Sequence, residues 1–418
     1  MTLPLAAMAV GTVALVVLVW GLAARQSESD HLLVRMEDGA IALLDPATGA
    51  TRYELADAVP TPDRSALLTT RPNGDKTVLE TRDPSTGSVT GSTSLTGDLV
   101  VRTVSPRGTA VGLMPHRAGA DLYEPEPRET TELTVAFIDE RPSLRFTLDG
   151  NIEPEMFSVD DTTLFVLEFV PPSDPTGYYV KKLDLATGTL TDTAGHEVDI
   201  NPAMRGKARA QAMHPDGTFL YTLYTLPSGA PVHDDLATSD SERWAFVHVI
   251  SLEEGWSHCV FLPVPFGTVD EAALGLAVAP DGKTVIVADP SSSQIAELDT
   301  ATNTIRAVHH VEKLHAGQSP AVVAVGDDNR TYVAVDGRIL ELAPRTFQAT
   351  HAWSQSRRVS HLSVDGGQLR IGGGGEITLI DRATRQETGV ISSPDRGTLE
   401  LLGPPRGSVT EFPLECAC

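Results

Sequence analysis

Short runs in which apolar and polar residues alternate recur along residues 31–409, and clusters of Gly, Pro, Asp and Thr separate these runs. Alternation with a period of two is typical of strands that bury one face, and the separating residues are typical of turns. Residues 274–311 contain one complete unit, with predicted strands at Leu274–Ala279, Thr284–Ala288, Gln294–Leu298 and Thr304–Val311. The pattern predicts an antiparallel unit of four strands that repeats along the chain.

Two turn signatures recur within these units. The first follows a predicted third strand, opens with Asp and closes with Gly in its clear copies, which are Asp45–Gly49, Asp83–Gly87 and Asp184–Gly188. Weaker copies are Ser251–Gly255, Asp299–Asn303 and Asp381–Arg385, and degenerate copies at Asp139 and Pro344 bring the number of units to eight. The second signature precedes predicted second strands, as in Pro215–Gly217 and Pro280–Gly282. Asp and Thr side chains cap turns and Gly supplies a positive φ, so both signatures predict tight connections.

Four-stranded units of about 40–50 residues are typical of propeller blades. The first unit, His31–Asp57, lacks an innermost strand, and Gly397–Gly403 can supply one. Pairing these two segments in one blade would close the ring and remove its exposed edges. We therefore predict an all-β fold, a β-propeller of eight four-stranded blades over residues 31–409, followed by a short tail at 410–418. Seven blades are the alternative if the irregular third unit, Leu99–Gly150, is an insertion.

Residues Leu3–Ala24 contain no charged side chain and are long enough to cross a bilayer as one helix. The apolar run exceeds the core of a typical secretory signal, which favours an uncleaved transmembrane helix within residues 1–30 over a cleaved signal peptide. The low lysine content and the Ser/Thr-rich body favour an extracytoplasmic propeller, whereas Arg25 after the segment weighs weakly for the opposite orientation. We predict a single-pass protein of the cell membrane with an extracytoplasmic propeller, which would be secreted if the segment is cleaved.

The composition agrees with a fold of many turns and few long helices, because the 418 residues include 35 Gly and 29 Pro. Acidic residues outnumber basic ones by 56 to 32, and the resulting net charge of -24 repels phosphate backbones. Nucleic acid is therefore excluded as a general partner. Three cysteines are too few for a disulfide scaffold.

Pro280–Ala288 and Asp299–Asn303 resemble the paired motifs of the bacterial YVTN/YncE-like propellers, which belong to the WD40-like propeller superfamily. The chain departs from the family pattern where Ile286-Val287 replaces the usual Tyr-Val and where Asp289 replaces the usual Asn. The resemblance implies a propeller over most of residues 31–409. It leaves the function open, since the family includes secreted binding proteins and related propellers include lactonases and quinone-dependent dehydrogenases.

Six of the twelve histidines fall in or beside loops that a propeller places on one face, namely His116, His196, His233, His309, His310 and His315. Four others are predicted to lie on strands, namely His248, His258, His351 and His361. His309, His310 and His315 are the densest group, and with Glu312 they could hold Zn²⁺ or Cu²⁺. The resemblance adds that zinc-chaperone propellers of the same broad class use histidines around their channel. The alternative is that these are ordinary surface histidines, because no second ligand pair at metal-binding spacing accompanies them.

Three further segments carry candidate chemistry. The acidic side chains of Val232–Arg243 could bind Ca²⁺, but their spacing fits no calcium loop and favours a solvated loop; they are Asp234, Asp235, Asp240 and Glu242. The insertion Pro115–Thr131 is predicted to project from the face that carries the histidines, where it would serve recognition or be a tolerated excursion. Cys416 and Cys418 could bind Cu(I) or exchange disulfides, whereas Cys259 is predicted to be a buried apolar residue on a strand.

The sequence contains no recognisable catalytic constellation. Gly372–Gly375 lacks the Lys-Ser/Thr pair and the helix of a phosphate loop, so it predicts a hairpin turn, and there is no Gly-x-Ser-x-Gly nucleophile motif. We therefore predict a non-enzymatic, membrane-anchored propeller that binds a protein or cell-envelope ligand on one face. A zinc- or copper-binding, metallochaperone-like propeller and a lactonase-like or quinone-dependent propeller enzyme are the alternatives.

Overall fold

A computed structural model of the chain describes residues 32–36, 39–46, 48–116, 126–139, 141–195, 203–226, 244–270, 272–315, 317, 319–392, 400–401 and 409–410. These residues form eight β-sheets, each with at least four strands. Across these ranges, no helix has the length and apolar character needed to span a membrane. The predicted transmembrane segment Leu3–Ala24 lies outside them and stays a prediction.

The sheets are the blades of a propeller and follow one another in chain order. Blades 1 and 2 contain β1 (Leu32–Arg35), β2 (Ile41–Leu44) and β3 (Thr51–Leu55), then β4 (Val59–Pro60), β5 (Leu67–Asn73), β6 (Lys76–Arg82) and β7 (Val89–Thr96). Blades 3 and 4 contain β8 (Leu99–Val104), β9 (Ala110–Pro115), β10 (Thr130–Phe137) and β11 (Leu144–Asp149), then β12 (Asn151–Phe157), β13 (Thr163–Val170), β14 (Gly177–Asp184) and β15 (Leu190–Asp192).

The second half of the ring begins after β16 (Ala194–Gly195). Blades 5 and 6 contain β17 (Lys207–Met213), β18 (Phe219–Thr225), β19 (Ala245–Ser251) and β20 (Trp256–Phe261), then β21 (Gly275–Val278), β22 (Thr284–Asp289), β23 (Gln294–Asp299) and β24 (Thr304–His310). Blades 7 and 8 contain β25 (Val322–Val325), β26 (Thr331–Val335), β27 (Arg338–Leu342) and β28 (Ala349–Ser354), then β29 (His361–Asp365), β30 (Gln368–Gly373), β31 (Glu376–Asp381) and β32 (Glu387–Ser392). Two short strands follow, β33 (Glu400–Leu401) and β34 (Val409–Thr410).

The ring closes as the sequence predicts. β33 pairs antiparallel with β1, with Leu401 opposite Val34, and supplies the innermost strand that blade 1 lacks. The irregular third unit is a complete blade, β8–β11, so the described sheets number eight. The seven-blade alternative is therefore wrong, because residues 99–149 pair as four strands instead of forming an insertion.

Blade 5 carries two extra strands. β16 runs parallel to the outer strand β20, and β34 pairs with the inner strand β17, where Thr410 lies opposite Gln211 and Val409 lies opposite Ala212. Innermost strands line the channel of a propeller, so β34 lies at the channel. The predicted boundary between propeller and tail, at residue 410, falls inside this strand.

The turns between third and fourth strands have the chemistry that the repeated signature predicts. In blade 2, Asp83 Oδ1 accepts hydrogen bonds from the backbone nitrogens of Ser85 and Thr86, and the Gly87 nitrogen donates to the Asp83 carbonyl oxygen at 2.8 Å. Gly87 has a φ of 70°, and the strand pairing shifts register beside the turn. The fifth residue is also left-handed at Gly49, Gly188, Gly255, Asn303 and Arg385, which explains why Gly or Asn stands at most of these positions.

Apolar side chains pack between neighbouring blades, so the core is a ring of clusters with no single centre. Middle strands are covered on both faces, and all seven residues of β19 are buried. Outer strands have one covered face, so exposed and half-buried residues alternate along β24 and β28. The period-two pattern of the sequence is therefore sharpest in fourth strands, where one face is solvated.

Candidate functional site

One end of the ring carries the connections between consecutive blades and the loops between second and third strands, and we call this end the connecting face. His116 follows β9, His309 and His310 end β24, and His315 lies between blades 6 and 7, so these four histidines lie at the connecting face as predicted. The four histidines predicted on strands are on strands. His196 and His233 lie outside the described residues.

The three histidines proposed as metal ligands have separate surroundings. His309 and His310 are consecutive on a strand, so their side chains project from opposite faces of the sheet. His309 Nε2 lies 3.3 Å from Glu297 Oε2, and its ring lies 4.5 Å from the Phe347 ring. His310 and His315 are exposed. No group of three or more His, Cys, Asp or Glu within the described ranges is placed to hold a metal ion, and metal binding here stays a prediction.

A cleft of about 400 Å³ opens on the connecting face at blade 7. Three segments line this blade-7 cleft: the connection from blade 6, the turn between β26 and β27, and the connection to blade 8. The lining residues are Ser319, Asp336, Gly337, Gln355, Ser356, Arg357 and Arg358. None of these residues belongs to the sequence motifs described above.

Hydrogen bonds fix the floor of the blade-7 cleft. Ser319 Oγ donates to Asp336 Oδ1 at 2.6 Å and accepts from the Asp336 backbone nitrogen at 3.2 Å. The Gln355 nitrogen donates to the Gly337 carbonyl oxygen at 2.6 Å. A Cβ on Gly337 would lie 2.3 Å from the Gln355 carbonyl oxygen, so only glycine permits this approach of the two segments. Asp336, with a φ of 51°, completes a tight turn whose side chain is held in place.

Two guanidinium groups give the blade-7 cleft its charge. Arg357 and Arg358 are exposed, and Arg357 donates to the Gly374 carbonyl oxygen and lies 3.4 Å from Glu376 Oε1. Asp336 is the one carboxylate among the lining residues, and it already accepts a hydrogen bond from Ser319. The Arg357 guanidinium is thus already paired with Glu376, and Arg358 adds a second exposed guanidinium to the lining, in a chain whose net charge is -24. Guanidinium groups are donors that bind carboxylate or phosphate oxygens.

A second feature of the connecting face is an exposed apolar loop between blades 5 and 6. Val264 and Val269 are 54% and 70% exposed, although the loop itself is well anchored. Phe266 is buried, and the Gly267 nitrogen donates to Asp289 Oδ2 at 3.0 Å. Asp289 stands where the resembled family usually has Asn, and its carboxylate also caps the following turn through the Ser291 nitrogen. A well-anchored loop therefore exposes two apolar side chains to solvent on the connecting face.

The described ends of the insertion in blade 3 lie at the connecting face, because they follow β9 and precede β10. The end before β10 is fixed by Arg128, whose Nη2 lies 2.6 Å from Glu153 Oε1 and donates to the Ile152 carbonyl oxygen at 2.5 Å. Both charged side chains are almost fully buried. Residues 117–125 of the insertion lie outside the described residues.

The glycine run and Cys259 lie within the described residues, whereas the acidic loop and the terminal cysteines do not. Gly374 and Gly375 form the hairpin turn between β30 and β31, with φ values of 55° and 76°, so the prediction of a turn is confirmed. Cys259 lies on β20 and packs in the apolar cluster between blades 4 and 5. Residues 227–243, Cys416 and Cys418 lie outside the described residues, so the proposals of calcium and of thiol chemistry there stay predictions.

Sequence reasoning missed the blade-7 cleft because its three segments are separate in the chain. The Asp336-Gly337 pair is a hairpin signal, and Arg357-Arg358 is a pair of cations in an acidic chain. Ser319 and Asp336 are 17 residues apart, and nothing local indicates that they share a hydrogen bond. Their convergence follows from the packing of blade 7 between its neighbours.

Comparison with solved structures supports the fold described above. The chain matches no protein-family model and no curated protein sequence. Among solved structures it is similar to apo AztD from Citrobacter koseri, with 12% identity, coverage of 90% of this chain and 98% of that one, and a TM-score of 0.55. It is also similar to the dihydro-heme d1 dehydrogenase NirN in complex with DHE, with 12% identity, coverage of 91% and 75%, and a TM-score of 0.52. The chain is thus an all-β, eight-bladed β-propeller that is similar in fold to these two structures.

Proposed function

We propose that the chain is a non-enzymatic, membrane-anchored propeller that binds a protein or cell-envelope ligand through its connecting face. The observation that carries this proposal is the blade-7 cleft, which Arg357 and Arg358 line together with the hydrogen-bonded Ser319–Asp336 pair. A preorganised floor lowers the entropic cost of binding, because few side chains must be ordered when the ligand arrives.

The charges define the group that the cleft would receive. Guanidinium groups bind carboxylate and phosphate groups through two parallel hydrogen bonds. The overall charge of -24 repels anions in general, so an anionic segment would be held only where local cations outweigh that field. The exposed Val264 and Val269 would add apolar contact from the neighbouring loop. An acidic segment of a partner protein fits both features.

The N-terminal segment Leu3–Ala24 would hold the propeller at the membrane. As an uncleaved anchor it would hold the propeller on the extracytoplasmic side, within reach of other envelope components. This placement is part of the proposal.

Site-specific photo-crosslinking in cells tests the binding face. A photoreactive residue at Ser356, in the blade-7 cleft, should give a discrete crosslinked adduct with an envelope component. The same residue at Lys283, which is exposed at the opposite end of the ring, should not give this adduct. The double variant R357E/R358E should lose the Ser356 adduct, because it reverses the charge of the cleft.

The control is a matched double charge reversal at the end of the ring opposite the connecting face. R107E/K283E changes the net charge by the same amount at two exposed turn residues and should keep the Ser356 adduct. Loss of the adduct in both double variants would show a general charge effect and would contradict the proposal. So would the absence of any adduct at Ser356 in cells that contain the folded chain.

A further inference from the structure

Two sulfur atoms meet in the seam between blades 4 and 5. Cys259 Sγ, on β20, lies 3.4 Å from Met204 Sδ, in the segment before β17. Met156 and Met213 pack in the same apolar cluster, so three of the seven methionines of the chain lie there. Thioether and thiol sulfur are thus concentrated at one buried place.

Backbone pairing fixes Met204 at this seam. The Tyr178 nitrogen donates to the Met204 carbonyl oxygen at 2.9 Å, and the Met204 nitrogen donates to the Tyr178 carbonyl oxygen at 2.7 Å. Gly177 permits this approach, because a Cβ there would lie 2.9 Å from the Met204 carbonyl oxygen. The two sulfurs are therefore held by strands of different blades.

A nitrogen donor shares the face of the sheet that carries Cys259. Gln211, Thr222, His248 and Cys259 are direct cross-strand partners in blade 5, so their side chains form one row. His248 is only 2% exposed. The ring centroid of His248 lies 6.4 Å from that of Tyr224, which packs in the same cluster as both sulfurs.

Buried aromatic side chains surround the sulfur pair. Tyr178 is 3% exposed, and its ring centroid lies 5.7 Å from that of Tyr224. The Tyr178 hydroxyl interacts with the Tyr224 side chain, and Cys259 lies close enough to affect the phenol electrostatically. The two sulfurs therefore lie in a low-dielectric seam, where a soft, singly charged cation is favoured over a divalent one.

We propose that Cys259, Met204 and His248 form a site for one Cu(I) ion in the seam between blades 4 and 5. Soft thiolate and thioether ligands select Cu(I) over harder cations, and imidazole also binds copper. Metal–sulfur bonds of about 2.3 Å at a tetrahedral angle place two sulfurs about 3.8 Å apart. The observed 3.4 Å needs a change of only a few tenths of an ångström.

Binding would exchange a proton for the ion. Burial raises the pKa of the Cys259 thiol to about 12, so the group is a neutral thiol without metal. When Cu(I) binds, the S–H proton leaves to the solvent, a Cu–S bond forms, and no electron is transferred. This site is separate from His309, His310 and His315 and from the Cys416–Cys418 pair.

Titration of the full chain with Cu(I) tests the site. The background variant C416S/C418S removes the competing terminal thiols, and titration under anaerobic conditions against a chromophoric Cu(I) chelator measures affinity. We expect one equivalent to bind. Loss of a group that supports a metal ligand weakens metal binding by about 10–100-fold, so C259S, which removes a ligand, should weaken binding at least that much. M204L should weaken binding by about tenfold or more.

M213L is the matched control, because it changes a methionine of the same cluster that is outside the proposed ligand set. It should bind Cu(I) with unchanged affinity, and H309A/H310A should do the same. Met-to-Leu exchange conserves volume, so M204L should keep the fold, which thermal unfolding without metal verifies. X-ray absorption of the Cu(I)-loaded C416S/C418S chain should show sulfur neighbours.

Three results would overturn the proposal: no Cu(I) bound by C416S/C418S, binding undiminished in C259S, or equal loss in M204L and M213L. Binding that disappears in H309A/H310A and persists in C259S would assign copper to the connecting face instead.

Discussion

Glu341 shows how a single side chain joins two blades at the end of the ring opposite the connecting face. Its carboxylate is 1% exposed and accepts hydrogen bonds from Arg330 at 2.9 Å, from Arg385 of blade 8 at 2.8 Å and from Thr350 at 2.6 Å. Burial alone would raise the pKa of Glu341, but these bonds and the two positive charges outweigh burial and lower it. The folded state therefore stabilises the ionised form of the Glu341 carboxylate.

Glu341→Gln should lower the free energy of unfolding by about 1.5–3 kcal/mol near neutral pH, because it removes charge-assisted hydrogen bonds. We expect a value in the lower part of this range, since Arg330 and Arg385 are 35% and 37% exposed and solvent screens their charges. The pKa of Glu341 is lower in the folded chain than in the unfolded chain, where it is about 4.3. The ionised carboxylate therefore stabilises the fold fully above about pH 4.3, and this stabilisation is lost as the pH falls through the folded-state pKa. Urea unfolding of both proteins at about pH 7, 5 and 3 measures the difference.

The difference between wild type and Glu341→Gln should therefore shrink below about pH 4. Asp192→Asn is the control, because this carboxylate is 69% exposed and lies 3.5 Å from Lys181. It should change stability by less than about 0.5 kcal/mol. An equal effect of the two substitutions would show that burial of Glu341 contributes nothing beyond a surface charge.

At the scale of elements, the repeated turn is also a contact between blades. In blade 2 the turn Asp83–Gly87 packs against Tyr53 of β3, whose hydroxyl donates to the Pro84 carbonyl oxygen. A Cβ on Gly87 would lie 2.9 Å from the Tyr53 ring. The glycine at this position thus satisfies a local requirement for positive φ and a tertiary requirement for space.

Comparison of Gly87→Ala with Gly74→Ala separates these two requirements. Both glycines have positive φ, 70° and 66°, and each substitution should cost about 1–2 kcal/mol for the left-handed backbone. Nothing lies within 4 Å of a Cβ on Gly74, so Gly87→Ala should be more destabilising by the cost of displacing Tyr53. Midpoints of urea denaturation measure both. Equal midpoints would mean that the turn in blade 2 can move away from Tyr53 with no loss of stability, and would contradict the expected effect of the contact.

At the scale of the whole molecule, stability depends on closure of the ring. β1 would be an open edge without β33, and an open edge exposes unpaired backbone groups. β34 pairs on the inner edge of blade 5, on the far side of the channel from blade 1, and closes no blade. The two short strands therefore contribute differently to the fold.

Two truncations distinguish these contributions. A chain that ends at residue 392 lacks the backbone hydrogen bonds between β33 and β1, so its free energy of unfolding should be lower by about 1–3 kcal/mol. It should also self-associate through the open edge of β1. A chain that ends at residue 402 keeps β33 and should unfold near the wild-type temperature. Differential scanning calorimetry with light scattering measures both effects. Equal destabilisation of the two chains would show that pairing in the channel, and not closure of blade 1, limits stability.

The sequence by itself determined the four-stranded repeat and the strand that closes the ring, because Asp caps, positive-φ glycines and period-two alternation act within a few residues. It also placed correctly the eight histidines of these two predictions that lie within the described residues. The choice of eight blades over seven came from the pairing of residues 99–149 as four strands. Only the tertiary structure decided which side chains meet. Ser319 and Asp336 are 17 residues apart, Glu341 and Arg385 are 44 apart, and Met204 and Cys259 are 55 apart. Each pair forms because neighbouring strands or blades pack in one register, and no local pattern encodes that register.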